Sequence, residues 1–156
     1  MTSPRRSTEA RYRRPMSPAH DSLQLAAEAQ ILEGAAALLR TTGLRQRRVN
    51  LPGGSLIEVD GATPDMSAFV SVFARQGALQ GGQKRKVALD VLKLITLRRQ
   101  YPKAKLYLAF SSEAAKASIT GWTAEAIAIW EIGVIVVPLD DDLRERLART
   151  QAMQAR

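Results

Sequence analysis

From Asp21 onward apolar residues recur at steps of three and four: Leu23, Ala26, Ala27, Ile31, Gly34, Ala35, Leu38 and Leu39. That single stripe predicts an amphipathic helix, with Gly43 as its stop. The period then shortens. Arg47–Leu51, Ser55–Asp60 and Ser67–Ala74 read as strands, joined by a turn at Pro52-Gly53-Gly54 and another over Gly61–Asp65. Helical spacing returns from about Gln83 to Gln100, carried by Val87, Val91, Leu94, Ile95 and Leu97 and ended at Tyr101-Pro102. Lys105–Phe110 has the length and content of a strand. Ser111–Lys116 and Thr123–Trp130 look helical, with Gly121 between them, and Asp140–Gln154 closes the chain as a helix. Ile132–Leu139 is nearly continuous in apolar residues, which predicts a strand buried on both faces.

This order is helix, three strands, helix, strand, helix, strand, helix. Short early turns imply an antiparallel meander, and strands separated by helices imply parallel crossovers. The expected class is α/β with a mixed five-stranded sheet, formed by one domain over residues 21–156. Residues 1–20 differ: five arginines against one glutamate, three prolines and few large apolar residues. Such a segment cannot bury enough surface to offset its ordering entropy, so it reads as a disordered basic arm. It is a solubilising tail, a DNA-contacting arm or, against the evidence of its prolines, an organellar presequence.

Charge narrows the partner. The 156 residues hold 23 Lys+Arg against 15 Asp+Glu, a net +8, which favours an acidic partner such as nucleic acid. With no cysteine and one histidine, His20, disulfides, thiol catalysis, Cys- or His-built metal clusters and Ser–His–Asp hydrolysis are excluded. Aromatic residues are only 5%, too few for base-stacking platforms. Trp122 and Trp130 therefore read as core or interface anchors. No apolar run approaches the length of a bilayer span and no secretory signal is visible, so a cytoplasmic setting without membrane contact is expected.

Two glycine-rich loops, Pro52-Gly53-Gly54 and Gly77–Gly82, fit neither a P-loop nor a dinucleotide fingerprint, although the second precedes a helix N-terminus. Leu56-Ile57-Glu58-Val59-Asp60 is more informative. Strand alternation puts Glu58 and Asp60 on one face and buries Ile57 and Val59 on the other. The bland alternative makes Asp60-Gly61 a turn pair. Lys84, Arg85 and Lys86 stand on the first turn of the long helix, where cations oppose the helix dipole and stability alone would not put them. Asp140-Asp141-Asp142 reads as a helix cap rather than a metal cluster.

A helix, an E-x-D strand and a following Phe69-Val70-Ser71-Val72-Phe73 strand together resemble the core of the PD-(D/E)XK, or restriction-endonuclease-like, nuclease superfamily. The likeness covers about residues 25–110, and the rest would be a C-terminal αβα extension to an αβββαβ core. Gly43 precedes Asp60 much as a glycine does in the small Holliday-junction-resolvase-like members. The resemblance implies a nuclease that hydrolyses DNA phosphodiesters with Mg²⁺ or Mn²⁺, its metal held by Asp60 and by Glu33 on the first helix, with Glu28 the alternative. The family's glutamate and lysine are missing at positions 71 and 73, where Ser71 and Phe73 stand. Some members carry the lysine on the next helix, which implies Lys86 here, and Gln76 or Gln83 could supply an oxygen ligand in place of the glutamate. Ser71 is too short to replace it. Arg45, Arg47, Arg48, Lys84 and Arg85 would contact phosphates, since clustering rewards counterion release. Homodimers are frequent in the family. The competing expectation is a catalytically degenerate member that binds nucleic acid or a protein without cutting. A small-molecule or nucleotide-binding α/β domain is the third.

Overall fold

The computed structural model describes residues 18–154. The segment expected to be a basic arm lies outside them, apart from the residues that open the first helix. The elements run α1 (Pro18–Leu38), β1 (Arg45–Asn50), β2 (Leu56–Ala62), β3 (Ala68–Phe73), α2 (Gly81–Gln100), β4 (Lys105–Phe110), α3 (Glu113–Ala117), α4 (Gly121–Ile129), β5 (Ile132–Val136) and α5 (Asp141–Gln154). The strands form one mixed sheet in the order β1-β2-β3-β4-β5. β1–β2 and β2–β3 are antiparallel, and β3–β4 and β4–β5 parallel. The expected order, meander and crossovers are all present.

Two apolar layers follow from the alternation of β3. Phe69 and Phe73 join Val87, Val91, Leu94 and Leu97 of α2, while Val70 and Val72 join Ala27, Ile31 and Ala35 of α1 and Leu143 and Leu147 of α5. The sheet is thus covered by α2 on one face and by α1 and α5 on the other. Every residue of β3 is buried, as suits the middle strand.

Three expectations need correction. β5 is an edge strand and only partly buried beyond Ile132: its apolar run packs inward on both faces but has a neighbour along one side only. Helix α1 ends before Gly43. Arg40 adopts φ 51°, and the amides of Arg40 and Thr41 reach back to Ala37 and Ala36, a Schellman closure with a non-glycine residue at the left-handed position. Gly43 has another use: at φ +70°, an added Cβ would lie 2.9 Å from the Pro64 ring. Lastly, Asp60-Gly61 is no turn. Both residues lie inside β2, and the reversal falls at Thr63–Ser67, where Thr63 Oγ1 accepts from the amides of Ser67 and Ala68 at 2.9 and 3.1 Å.

Candidate functional site

β2 carries a bulge at its centre. Arg45 pairs with Ala62 and Arg47 with Val59, so the span 59–62 of β2 faces only 45–47 of β1. An extra residue of this kind bends a strand and re-aims its side chains. Here it reverses the alternation: Ile57, Val59 and Ala62 all enter the α2-side core, while a Cβ on Gly61 would meet Leu32 of α1 at 2.6 Å. Arg47 braces the distortion, donating Nε–H to the Ala62 carbonyl at 2.9 Å and a terminal N–H to the Gly43 carbonyl at 3.1 Å.

The bulge also parts β2 from β3. Their pairing is confined to Gly61↔Val70 and Ala62↔Phe69. Beyond it, Asp60 Oδ2 accepts the Val72 N–H at 2.8 Å, so a side chain takes over where the ladder stops. At this fork lies a pocket of about 340 Å³ lined by Glu58, Val59, Asp60, Ser71, Lys86, Asp90 and Lys93. Glu58 and Asp60 both line it, but in different settings. Glu58 stays exposed and pairs with Gln46 and, at 3.4 Å, with Arg48. Asp60 is half-buried, and desolvation holds its carboxyl above the ordinary aspartate range against the lowering effects of the Val72 amide and the Lys86 charge.

The opposite wall comes from α2. Asp90 is 5% exposed yet ionisable, so it needs partners. Lys86 supplies one at 2.7 Å and Lys93 another at 3.9 Å. Lys86 does reach back over the strand end: its ammonium lies 4.5 Å from the centroid of the Phe73 ring, within cation–π range. Phe73 stacks on Phe110 of β4 at 5.0 Å, which fixes the ring beneath it. Position 73, without a lysine of its own, therefore supports the ammonium delivered by the helix.

The other expected site residues lie elsewhere. Glu33 is exposed on α1, which packs on the far face of the sheet, and does not line the pocket. Glu28, on the same helix, accepts from Gln24 at 3.2 Å. Gln76 is used structurally: its side chain donates to Ser111 Oγ at 2.8 Å and to the Ala74 carbonyl, and its main chain exchanges hydrogen bonds with the Gln151 side chain. Gln83 accepts the Gln80 amide at the start of α2. Arg45, Lys84 and Arg85 are exposed.

Asp90 was missed by the sequence reading, although a signal existed. It interrupts the Val87–Val91–Leu94 stripe with an acid on the buried side of the helix. Among the described residues no group of three or more His, Cys, Asp or Glu is placed to hold a metal. Three carboxylates line the pocket, and with Glu58 engaged by Gln46 and Arg48, Asp60 and Asp90 are the pair left facing each other's elements, with the Ser71 hydroxyl beside them. That set is oxygen-only and fits Mg²⁺, which commonly takes one or two protein carboxylates and completes its shell with water and substrate phosphate. No protein-family model, curated protein or solved structure matches this chain.

Proposed function

We propose that this pocket is the site of metal-assisted phosphodiester hydrolysis in nucleic acid, on a restriction-endonuclease-like variation of the α/β fold. One observation carries the reading: Asp60 from β2 and Asp90 and Lys86 from α2 converge beside Ser71 at the fork between β2 and β3. Two carboxylates and an ammonium at a strand fork are poor choices for stability alone, since each acid gives up hydration there. They suit a reaction in which a polyanion is attacked by water.

In this reading Asp60 and Asp90 hold Mg²⁺ or Mn²⁺, which polarises the phosphoryl group and lowers the pKa of the attacking water. Asp60 keeps its orientation through the Val72 amide, leaving its other oxygen for the cation. Lys86 faces the phosphate as a fixed positive charge and stabilises the charge that develops on its oxygens. Lys93 lines the pocket beside Lys86 and Arg48 pairs with its Glu58, while Lys84 and Arg85 are exposed at the start of α2, charges suited to a phosphate backbone. Glu33 and Gln76 take no part.

The experiment is cleavage of labelled duplex, branched and single-stranded DNA with Mg²⁺ or Mn²⁺, comparing wild type with Asp60→Ala, Asp90→Ala and Lys86→Ala. Cleavage abolished in both carboxylate variants and reduced at least about 100-fold in Lys86→Ala is expected. Glu33→Ala should cleave like wild type. Activity that survives Asp60→Ala overturns the assignment.

A second reading has its own observation. Both Asp90 oxygens are already engaged by lysines, so internal cations satisfy the acid as a metal would. A protein that binds DNA without cutting it would show salt-dependent retention and no cleavage with any divalent ion.

A further inference from the structure

The two edges of the sheet are built differently. β1 carries Arg45, Arg47 and Arg48 along its length, the charged side chains with which proteins keep an open edge from pairing. β5 is Ile132-Gly133-Val134-Ile135-Val136, with no charge and no proline to block strand addition. Among the described residues, no strand pairs with its outer side. Helix α4 runs directly into this edge, and it exposes large apolar side chains: Trp122 at 73%, Ile129 at 74% and, at the helix end, Trp130 at 50%. No lysine or arginine occurs between Lys116 and Arg144 in a chain of net charge +8.

We propose that β5 and the exposed side of α4 form the interface with a second copy of this chain, β5 pairing antiparallel with β5 across a two-fold axis. The unpaired amides and carbonyls of one strand are self-complementary under that operation, as an isologous contact requires. Head-to-tail growth of β5 onto β1 is opposed by the three arginines, so association closes at two. Residues 117–143 bring no basic side chain of their own to the interface, and Arg98, which lies against them, is engaged by the Trp130 and Glu131 carbonyls, so the repulsion between two cationic chains is limited there. Antiparallel pairing of identical strands puts the axis perpendicular to the joined sheet, so both pockets open on the same side. Five strand spacings then separate the two β3 strands, about 24 Å at the usual ~4.8 Å per strand. This inference stands independently of the hydrolytic reading.

Sedimentation equilibrium of the full chain, with amide hydrogen exchange measured at high and low protein concentration, tests it. The expected result is a species of twice the 17.1 kDa chain mass, with protection of residues 132–136 that rises with concentration. Ile129→Glu and Trp122→Glu, both at exposed positions that leave the monomer core intact, should weaken the dimer at least about tenfold. A monomer at all concentrations overturns the proposal, as does a dimer whose new protection lies elsewhere. Protection of β5 that does not depend on concentration would mean that the chain covers its own edge. Open-ended polymers would contradict closure by a two-fold axis.

Discussion

Asp60 is a residue whose charge works against the fold. Desolvation raises its carboxyl pKa above the ordinary value, so between the two values the native state binds more protons than the unfolded chain. Stability therefore falls as pH rises through that window, and above it the protein carries the full cost. Asp60→Asn keeps an oxygen for the Val72 amide and removes the charge. It should raise the urea midpoint at neutral pH, by an amount that shrinks as the pH falls towards the ordinary aspartate range, while abolishing Mg²⁺ binding. Urea titrations at several pH values, beside calorimetric Mg²⁺ titration, check both halves. Lys86 and Asp90 make the complementary case. Removing either leaves the other without its 2.7 Å partner, so Lys86→Ala should cost about 1–3 kcal/mol. The double variant Lys86→Ala/Asp90→Asn should recover part of that, giving a coupling energy of about 0.5–3 kcal/mol in a double-mutant cycle.

At the scale of elements, termini and close contacts decide the outcome. Asp140 Oδ1 accepts the Leu143 amide at 2.8 Å and its carbonyl accepts from Arg144, which caps α5. The Leu143 amide, with help from Gln30, holds the Asp140 carboxyl below its usual range. Asp140→Ala should lower the midpoint of chemical unfolding through the lost cap, and part of that loss should appear in wild type when acid protonates the carboxylate. Gly34 is where α1 meets the chain just after β5. A Cβ there would sit 2.3 Å from Val137 Cγ1. Gly34→Ala should destabilise by about 1–3 kcal/mol through overpacking, and Val137→Ala in the same chain should relieve most of it. The helices and strands were legible because each repeats a simple period, even down to the acidic start of α5. Helix α1 was expected to stop at Gly43, the residue with intrinsic freedom; the structure stops it at Arg40, where backbone hydrogen bonds support a left-handed arginine.

For the whole molecule, the exposed basic residues at the start of α2 predict a salt response. Replacing Lys84 and Arg85 with alanine should weaken DNA binding on every sequence alike and lower the slope of log K against log salt by about 2. Fluorescence anisotropy across a salt series measures this directly. Among the described residues no helix is long and apolar enough to cross a membrane.

The sequence by itself determined the α/β class, the order of elements and the antiparallel-then-parallel sheet, and it singled out Asp60 and Lys86, which the fold brings to one pocket. Those follow from local periodicity, turn residues and charges set where helix electrostatics disfavours them. Only the tertiary structure decided which acid stands opposite Asp60. Glu33 and Asp90 are both helical carboxylates, but α1 and α2 cover opposite faces of the sheet. The bulge at Asp60 was equally invisible, because it is a mismatch between two strands rather than a property of either. So was the exposure of β5, since an apolar strand has the same sequence whether or not a neighbour flanks it.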